Sequence, residues 1–329
     1  MPVKKVIFDT DLGIDDAVAL TLLLMWHKQG KIELLGIVSC FGNAIRDNVD
    51  INIHRILNIC NAENIPVYKG AHQPFMCPSD YEPVAGVVHG KDGLGDVDWE
   101  ANGFMFPTFE WEKESGAEFI VQTVNKDNNV TLISVGPLSN VALAYELDND
   151  LFHKLAELII MGGSPELLGN ETMINYFAEH NFAVDPRAAH IVFDKAADTL
   201  CLLILCSWEL TLKCKFEFGS LLSSLDKSTE FGKGTDLYLK YLVNFCRDIG
   251  DLGGVVVCDS VATFVLGLFA ADYESEHIHL AVVPEGPFRG ASLRTYHHEA
   301  PKNCVNVLSI DVDNYQKTIK EALSFNYAE

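Results

Sequence analysis

The densest chemistry in this chain lies at its start, where Asp9-Thr10-Asp11-Leu12-Gly13-Ile14-Asp15-Asp16 sets four carboxylates within eight residues. Four acids so close repel one another, and burying them is costly unless a cation neutralises them. Gly13 permits the tight backbone path that would aim several of them at one point. A hard divalent cation suits such a set, and calcium most of all, because it takes about six to eight oxygen ligands in irregular geometry, including an acid from a distant segment. The plainer alternative is a helix N-terminus whose acids favour its dipole.

These acids must be positioned by the elements around them. Residues 3–8 form a short β-rich run and residues 17–26 a helix of about three turns, so the cluster falls at a strand-to-helix turn. A second apolar strand over 32–39 ends at Phe41-Gly42-Asn43, and a helix over 47–60 follows. A strand near 66–68 leads into a long Gly-, Pro- and Asp-rich segment, 70–111, of a length that is usually functional or disordered. Trp99 and Trp111 within it would form an aromatic lid or an anchor to the core, and the residues between His89 and Trp111 are expected to set ligand specificity.

Further strands are expected over 130–135, 158–161 and 200–205, with Ser139 capping one helix and Asp185-Pro186 opening another over 187–193. Beyond Trp208 the pattern turns more helical, at 218–225, 237–245 and 260–269, with strands near 279–283 and 305–311 and a last helix over 315–323. This alternation predicts an α/β fold with a mostly parallel sheet flanked by helices, whose ligands bind at the C-terminal strand ends. Asp9, Asp11, Asn43, Gly136 and Gly162-Gly163 all fall at such ends. Without a repeat or linker, residues 1–329 read as one domain.

Asp9-Thr10-Asp11 at a strand end resembles the haloacid-dehalogenase-type phosphatase motif, but Gly13 stands where that family places Thr or Val, and its later acidic pair is reduced to a lone Asp259. The whole string from Val6 to Ala17 resembles instead the signature of the inosine–uridine-preferring nucleoside hydrolase family. Further matches follow in order over nearly the full length. They are Gly42-Asn43, His89-Gly90, Gly136-Pro137-Leu138-Ser139-Asn140, Met161-Gly162-Gly163, Gly169-Asn170, Glu179-x-Asn181 with Asp185-Pro186, and Asp259.

The resemblance implies the nucleoside hydrolase fold and the calcium-dependent release of ribose and a base from ribonucleosides, in nucleoside salvage. It implies that Asp11, Asp16, Asp259 and the backbone carbonyl of Val135 hold the calcium, with the ribose diol completing its shell. A metal-bound water would attack the anomeric carbon, with Asp11 as general base. Asp15, Asn43, Asn181 and Asp259 would grip the 2′- and 3′-hydroxyls, Glu179 and Asn170 the 5′-hydroxyl, and His89 would face the base. The residue types suit the reaction, since breaking a glycosidic bond develops positive charge on the ribosyl ring, which surrounding acids stabilise.

Two positions depart from the family. His180 stands where an aromatic residue is usual, leaving contact with the base and simple space-filling both open. Cys258 stands where the best-studied subgroups have His or Trp at the departing base, which marks a cysteine-bearing subgroup. A calcium-dependent ribosyl-ligand binding protein without turnover is therefore the competing expectation.

Composition narrows the partners. With Lys+Arg 24 against Asp+Glu 46, the net charge of -22 repels nucleic acid and anionic lipid. The longest apolar stretches, such as 261–271, are about half of the ~20 residues that span a bilayer. The first residues do not read as a signal peptide, and nine cysteines without a CxxC pair suit a reducing compartment, so a cytoplasmic protein is expected. The sequons at Asn129 and Asn170 are then incidental, and Gly36, Gly162 and Gly163 read as packing glycines. By resemblance the partner is a small ribonucleoside and the assembly a homodimer or homotetramer.

Overall fold

The strand that delivers the acidic cluster, β1 (Lys4–Thr10), has no polar face. Val6 and Phe8 pack into one apolar cluster and Ile7 into another on the opposite side of the sheet. A strand buried on both faces belongs in the middle of a parallel sheet. β1 accordingly pairs in parallel with β2 (Ile32–Ser39) on one side and β4 (Val130–Ser134) on the other. The computed structural model describes residues 3–75, 86–170, 175–197, 199, 201–250, 252–295 and 301–328.

Between the strands run α1 (Ile14–Lys28), α2 (Arg46–Ile59) with β3 (Val67–Tyr68), then α3 (Gly86–His89) and α4 (Gly116–Lys126) ahead of β4. Next come α5 (Ser139–Leu147), α6 (Leu151–Lys154), β5 (Glu157–Met161), α7 (His180–Val184), α8 (Pro186–Ala196) and β6 (Leu202–Cys206). The remainder holds α9 (Trp208–Thr211), α10 (Glu230–Asp248), α11 (Cys258–Leu266), β7 (Tyr273–Val282), β8 (Ser292–Thr295), β9 (Cys304–Ile310) and α12 (Val312–Leu323).

The strands line up as β3-β2-β1-β4-β5-β6-β9-β7-β8. The first seven positions run parallel, whereas β7 is antiparallel to β9 and β8 to β7. Helices α1, α2, α10, α11 and α12 cover one face, and α4, α5, α6 and α8 the other. From β1 the chain builds outward to β3 and then returns to the far side of β1 with β4. This reversal opens a crevice at the C-terminal ends of β1, β2 and β4, the general ligand position of open parallel sheets. Helix α1 is buried from Ile14 through Trp26, so the acidic turn that starts it is rooted in the core.

The expected strand over 32–39 and the Asp185-capped helix with Pro186 in its first turn stand as read. Two expectations are corrected and one helix was missed. Residues 218–225 are not a helix, because Gly219 at φ +83° breaks the run and only a 3-10 turn at Leu222–Ser224 forms. The real helix, α10, starts where the Thr229 hydroxyl accepts the Gly232 N–H. Ser139 does not cap α5; its hydroxyl donates to Asp185, as does the Phe75 N–H. Helix α4 was not anticipated, although Ser115 and Glu118 form its capping box.

Candidate active site

Not all four acids of the cluster face the same way. Asp9, inside β1, accepts hydrogen bonds from the Ser134 hydroxyl at 2.6 Å and the Asn140 amide at 2.7 Å, so both its oxygens tie β1 to β4 and α5. Burial raises its pKa to about 6, opposed by those two bonds. Asp16, in the first turn of α1, is fully engaged as well. Its Oδ1 accepts the Thr10 hydroxyl and its Oδ2 the Gly13 N–H at 2.8 Å and the Asn43 amide at 2.9 Å.

Asp11 and Asp15 keep spare capacity. Asp11 Oδ2 accepts the Asn43 N–H at 2.8 Å, but Asp11 Oδ1 and Asp15 Oδ1 are buried without a hydrogen-bond partner. From α11, Asp259 brings its carboxylate in, so that oxygens of Asp15, Asp16 and Asp259 lie within 4.8 Å of one another. Burial holds Asp11, Asp15, Asp16 and Asp259 above the usual carboxylate range, and repulsion within the group adds to it at Asp11, Asp16 and Asp259. Among the described residues no Lys or Arg pairs with any of them.

This is a donor set fitted to a divalent cation: hard oxygens, excess negative charge and two orphaned carboxylate atoms. The carbonyl of Val135, just past β4, already accepts the Asn181 amide at 2.8 Å, which leaves it one lone pair. The backbone is shaped to these acids. A Cβ at Gly42, which sits at φ +156°, would meet Asp11 Oδ2 at 2.0 Å, and one at Gly13 would meet the Asn43 amide and His89 Nδ1 at 2.6 Å.

Across the crevice, α7 is set by Glu179. Its Oε1 accepts the Asn181 N–H and its Oε2 the N–H groups of Gly163 and Phe182, and burial raises its pKa to about 7 against those bonds. Asn181 also donates to the carbonyl of Met161. Asn170 keeps a buried Oδ1 without a partner. His89, closing α3, accepts the Ile14 N–H on Nδ1 at 3.1 Å, which places its ring proton on Nε2. Burial lowers the pKa of His89, and likewise of His180, to about 4, so both rings are neutral.

These groups open onto a cavity of about 650 Å³. Asp15, Asn43, His89, Val135, Asn170, Glu179, Asn181 and Asp259 line it, while Asp11 and Asp16 lie beneath, reached through Asn43. Much of the rest of the lining is apolar, including Trp208 and Leu212 around α9, Leu242 and Phe245 on α10, and Ile249, Leu252 and Val256 after it. Sequence reasoning missed these residues. The expected specificity region between His89 and Trp111 contributes only His89 among the described lining residues. Trp99 packs on Phe104, Phe106 and Tyr238, and Trp111 on His54 and Lys69, so both anchor the loop away from the cavity. Cys258, at the first position of α11, joins Cys246 in the lining; burial and nearby Asp15 push its thiol up. Cys77 and residues 171–174, with the threonine of the Asn170 sequon, lie outside the described residues.

Residues 6–317 match the family model described as inosine-uridine preferring nucleoside hydrolase. Uridine nucleosidase 1 of Arabidopsis thaliana is 33% identical over 234 residues, 68% of this chain and 66% of that protein. The pyrimidine-specific ribonucleoside hydrolase RihB of Escherichia coli (strain SE11) is 37% identical over 198 residues, 59% of this chain and 57% of its own length. The chain thus spans a little over half to two thirds of these relatives. Among solved structures, the purine-preferring ribonucleoside hydrolase from Gardnerella vaginalis superposes with a TM-score of 0.86 at 24% identity, covering 98% of both chains. An inosine-guanosine nucleoside hydrolase superposes at 0.83 with 27% identity, over 98% of this chain and 99% of that one.

Proposed function

Because the chain belongs to the inosine-uridine preferring nucleoside hydrolase family, we propose that it hydrolyses the N-glycosidic bond of ribonucleosides to ribose and a free base. The observation that carries this reading is the mixed lining of one cavity, in which acids and amides meet a large set of apolar side chains. A ribosyl ring and a flat base present that same mixture.

In this reading Asp15, Asn43, Asn181 and Asp259 hold the 2′- and 3′-hydroxyls, and Asn170 with Glu179 takes the 5′-hydroxyl. The unpartnered Asn170 Oδ1 suits a hydroxyl donor. Asp11 is the general base: its free Oδ1 accepts the proton of the attacking water, while the Asn43 N–H fixes its other oxygen. Asp11, Asp16, Asp259 and the Val135 carbonyl would hold a calcium ion, whose positive charge would neutralise these acids and lower the pKa of water at the site. The buried acids stabilise the oxocarbenium-like sugar as the bond opens. Loss of a hydroxyl would leave several of these groups unpaired, so deoxyribose is rejected.

We place the whole chain in one nucleoside hydrolase domain, acting in salvage in the cytoplasm as a homo-oligomer. Inosine, uridine, adenosine and cytidine incubated with the protein and calcium, with base release followed by chromatography, test the activity. Release from at least one is expected, and none from any at saturation would overturn the assignment.

A further inference from the structure

The proposed reading accounts for attack on the sugar and sets His89 toward the base, but it assigns no group to the base as it departs. Besides the groups assigned to the ribose and the ion, the polar side chains among the described lining residues are the imidazoles of His89 and His180, the indole of Trp208 and the thiols of Cys246 and Cys258. A thiol is a weak hydrogen-bond donor. His180 differs from all of these, because its Nε2 is buried and has no hydrogen-bond partner.

His180 is also held in place. It opens α7 between Glu179, whose carboxylate takes three backbone N–H groups, and Asn181, whose amide is fixed on the carbonyls of Val135 and Met161. A ring that only filled space would gain nothing from a nitrogen buried without a partner, since leaving such a group unsatisfied is costly. A ligand that supplies the partner removes that cost.

We propose that His180, and not the thiol of Cys258, is the leaving-group contact of this enzyme, donating a hydrogen bond from Nε2 to the base as it departs. This rests on the nucleoside hydrolase reading. When the bond from C1′ to the base nitrogen breaks, its electron pair stays on the base and spreads to a ring nitrogen or exocyclic oxygen. That atom accepts the hydrogen bond, and the imidazole itself gains and loses no proton. Water delivers hydroxide to C1′ and its proton to Asp11, which returns it to solvent, while the base anion takes a proton from solvent. The sum is nucleoside plus water giving ribose plus base.

The test compares two leaving groups in the calcium-supplemented full-length protein: natural nucleosides, uridine and inosine, and p-nitrophenyl β-D-ribofuranoside, whose nitrophenolate departs without help. His180→Phe should lower kcat/KM on uridine or inosine by about 10²-fold, the usual cost of removing one donor from a developing anion. The same variant should keep p-nitrophenyl riboside turnover within about 3-fold, since the sugar chemistry is untouched. His180→Gln, which restores an N–H donor, should recover part of the loss. Proportional loss on both substrates, or no loss on either, overturns the proposal. A wild-type protein that releases neither base nor nitrophenolate would instead overturn the hydrolase reading beneath it.

Discussion

The two sides of the cavity are built on different principles. The acidic side stands on strand ends in the middle of the sheet, where hydrogen bonds among Asp9, Thr10, Asp11, Asp16, Asn43, Asn140 and Asn181 and the backbone hold the groups in place and leave Asp11 Oδ1, Asp15 Oδ1 and Asn170 Oδ1 without partners. The apolar side stands on helix α10 and the segments flanking it, where Leu242, Phe245 and Leu252 hold no directional bond to the cavity. Hydrogen-bonded groups tolerate little displacement, whereas apolar contacts can be rearranged for modest cost. On the proposed reading, the acidic groups would fix the sugar and the reaction, and the apolar ones would be free to set which base is taken.

The largest effect should come from breaking the acidic side at its base. Asp11→Asn keeps the shape but removes the proton acceptor, so base release should fall by about 10³-fold or more in steady-state assays, with calcium affinity weakened in titration calorimetry. A loss under tenfold would remove Asp11 from the chemistry.

A smaller and differently shaped effect is expected across the cavity. Phe245→Ala should change the ratio of kcat/KM between uridine and inosine by about tenfold, the scale on which apolar pockets discriminate, while calcium affinity stays as it was. Equal loss on both bases would mean that α10 supports the fold and does not select.

The gentlest probe is pH. Asp9 and Glu179 have folded pKa values raised to about 6 and about 7, so the folded chain binds protons more tightly than the unfolded one. Burial lowers the folded pKa of His54, His89 and His180 to about 4, which opposes this trend, so in a variant with all three replaced by Gln the stability after chelation should rise as pH falls from about 7 to about 5, by a few degrees in Tm. The carboxylates that Lys5 and Lys154 hold low lose their contribution only below the ordinary carboxylate range, outside that window. With calcium present the trend should weaken or reverse, because protons compete with the ion. A flat profile after chelation would mean that these acids are solvated.

How legible each side was in the sequence follows from the same contrast. Acids and amides at strand ends announce themselves, because a buried-type strand followed by Asp9, Asp11, Asp15 and Asp16 has few bland explanations, and the parallel sheet follows from the alternation that carries them. Leu242, Phe245 and Ile249 announce nothing, since an apolar residue facing a cavity has the same type and spacing as one facing the core. The misplaced helix over 218–225 has a related cause: Phe218, Leu221, Leu222 and Leu225 have helical spacing, but the backbone at Gly219 turns left-handed. Ser139 looked like a local cap because its true partner, Asp185, is distant in sequence.

Asp259 reaches the acidic turn on α11, which packs against α1 across nearly the full length of the chain. The candidate ion site is thus assembled from the first and last thirds of the sequence, a contact that loop-closure entropy makes costly to form early. During synthesis the N-terminal acids emerge with only part of their set and stay hydrated until the C-terminal third docks. A cation at this candidate site would then find its full set of acids only once α11 has docked on α1.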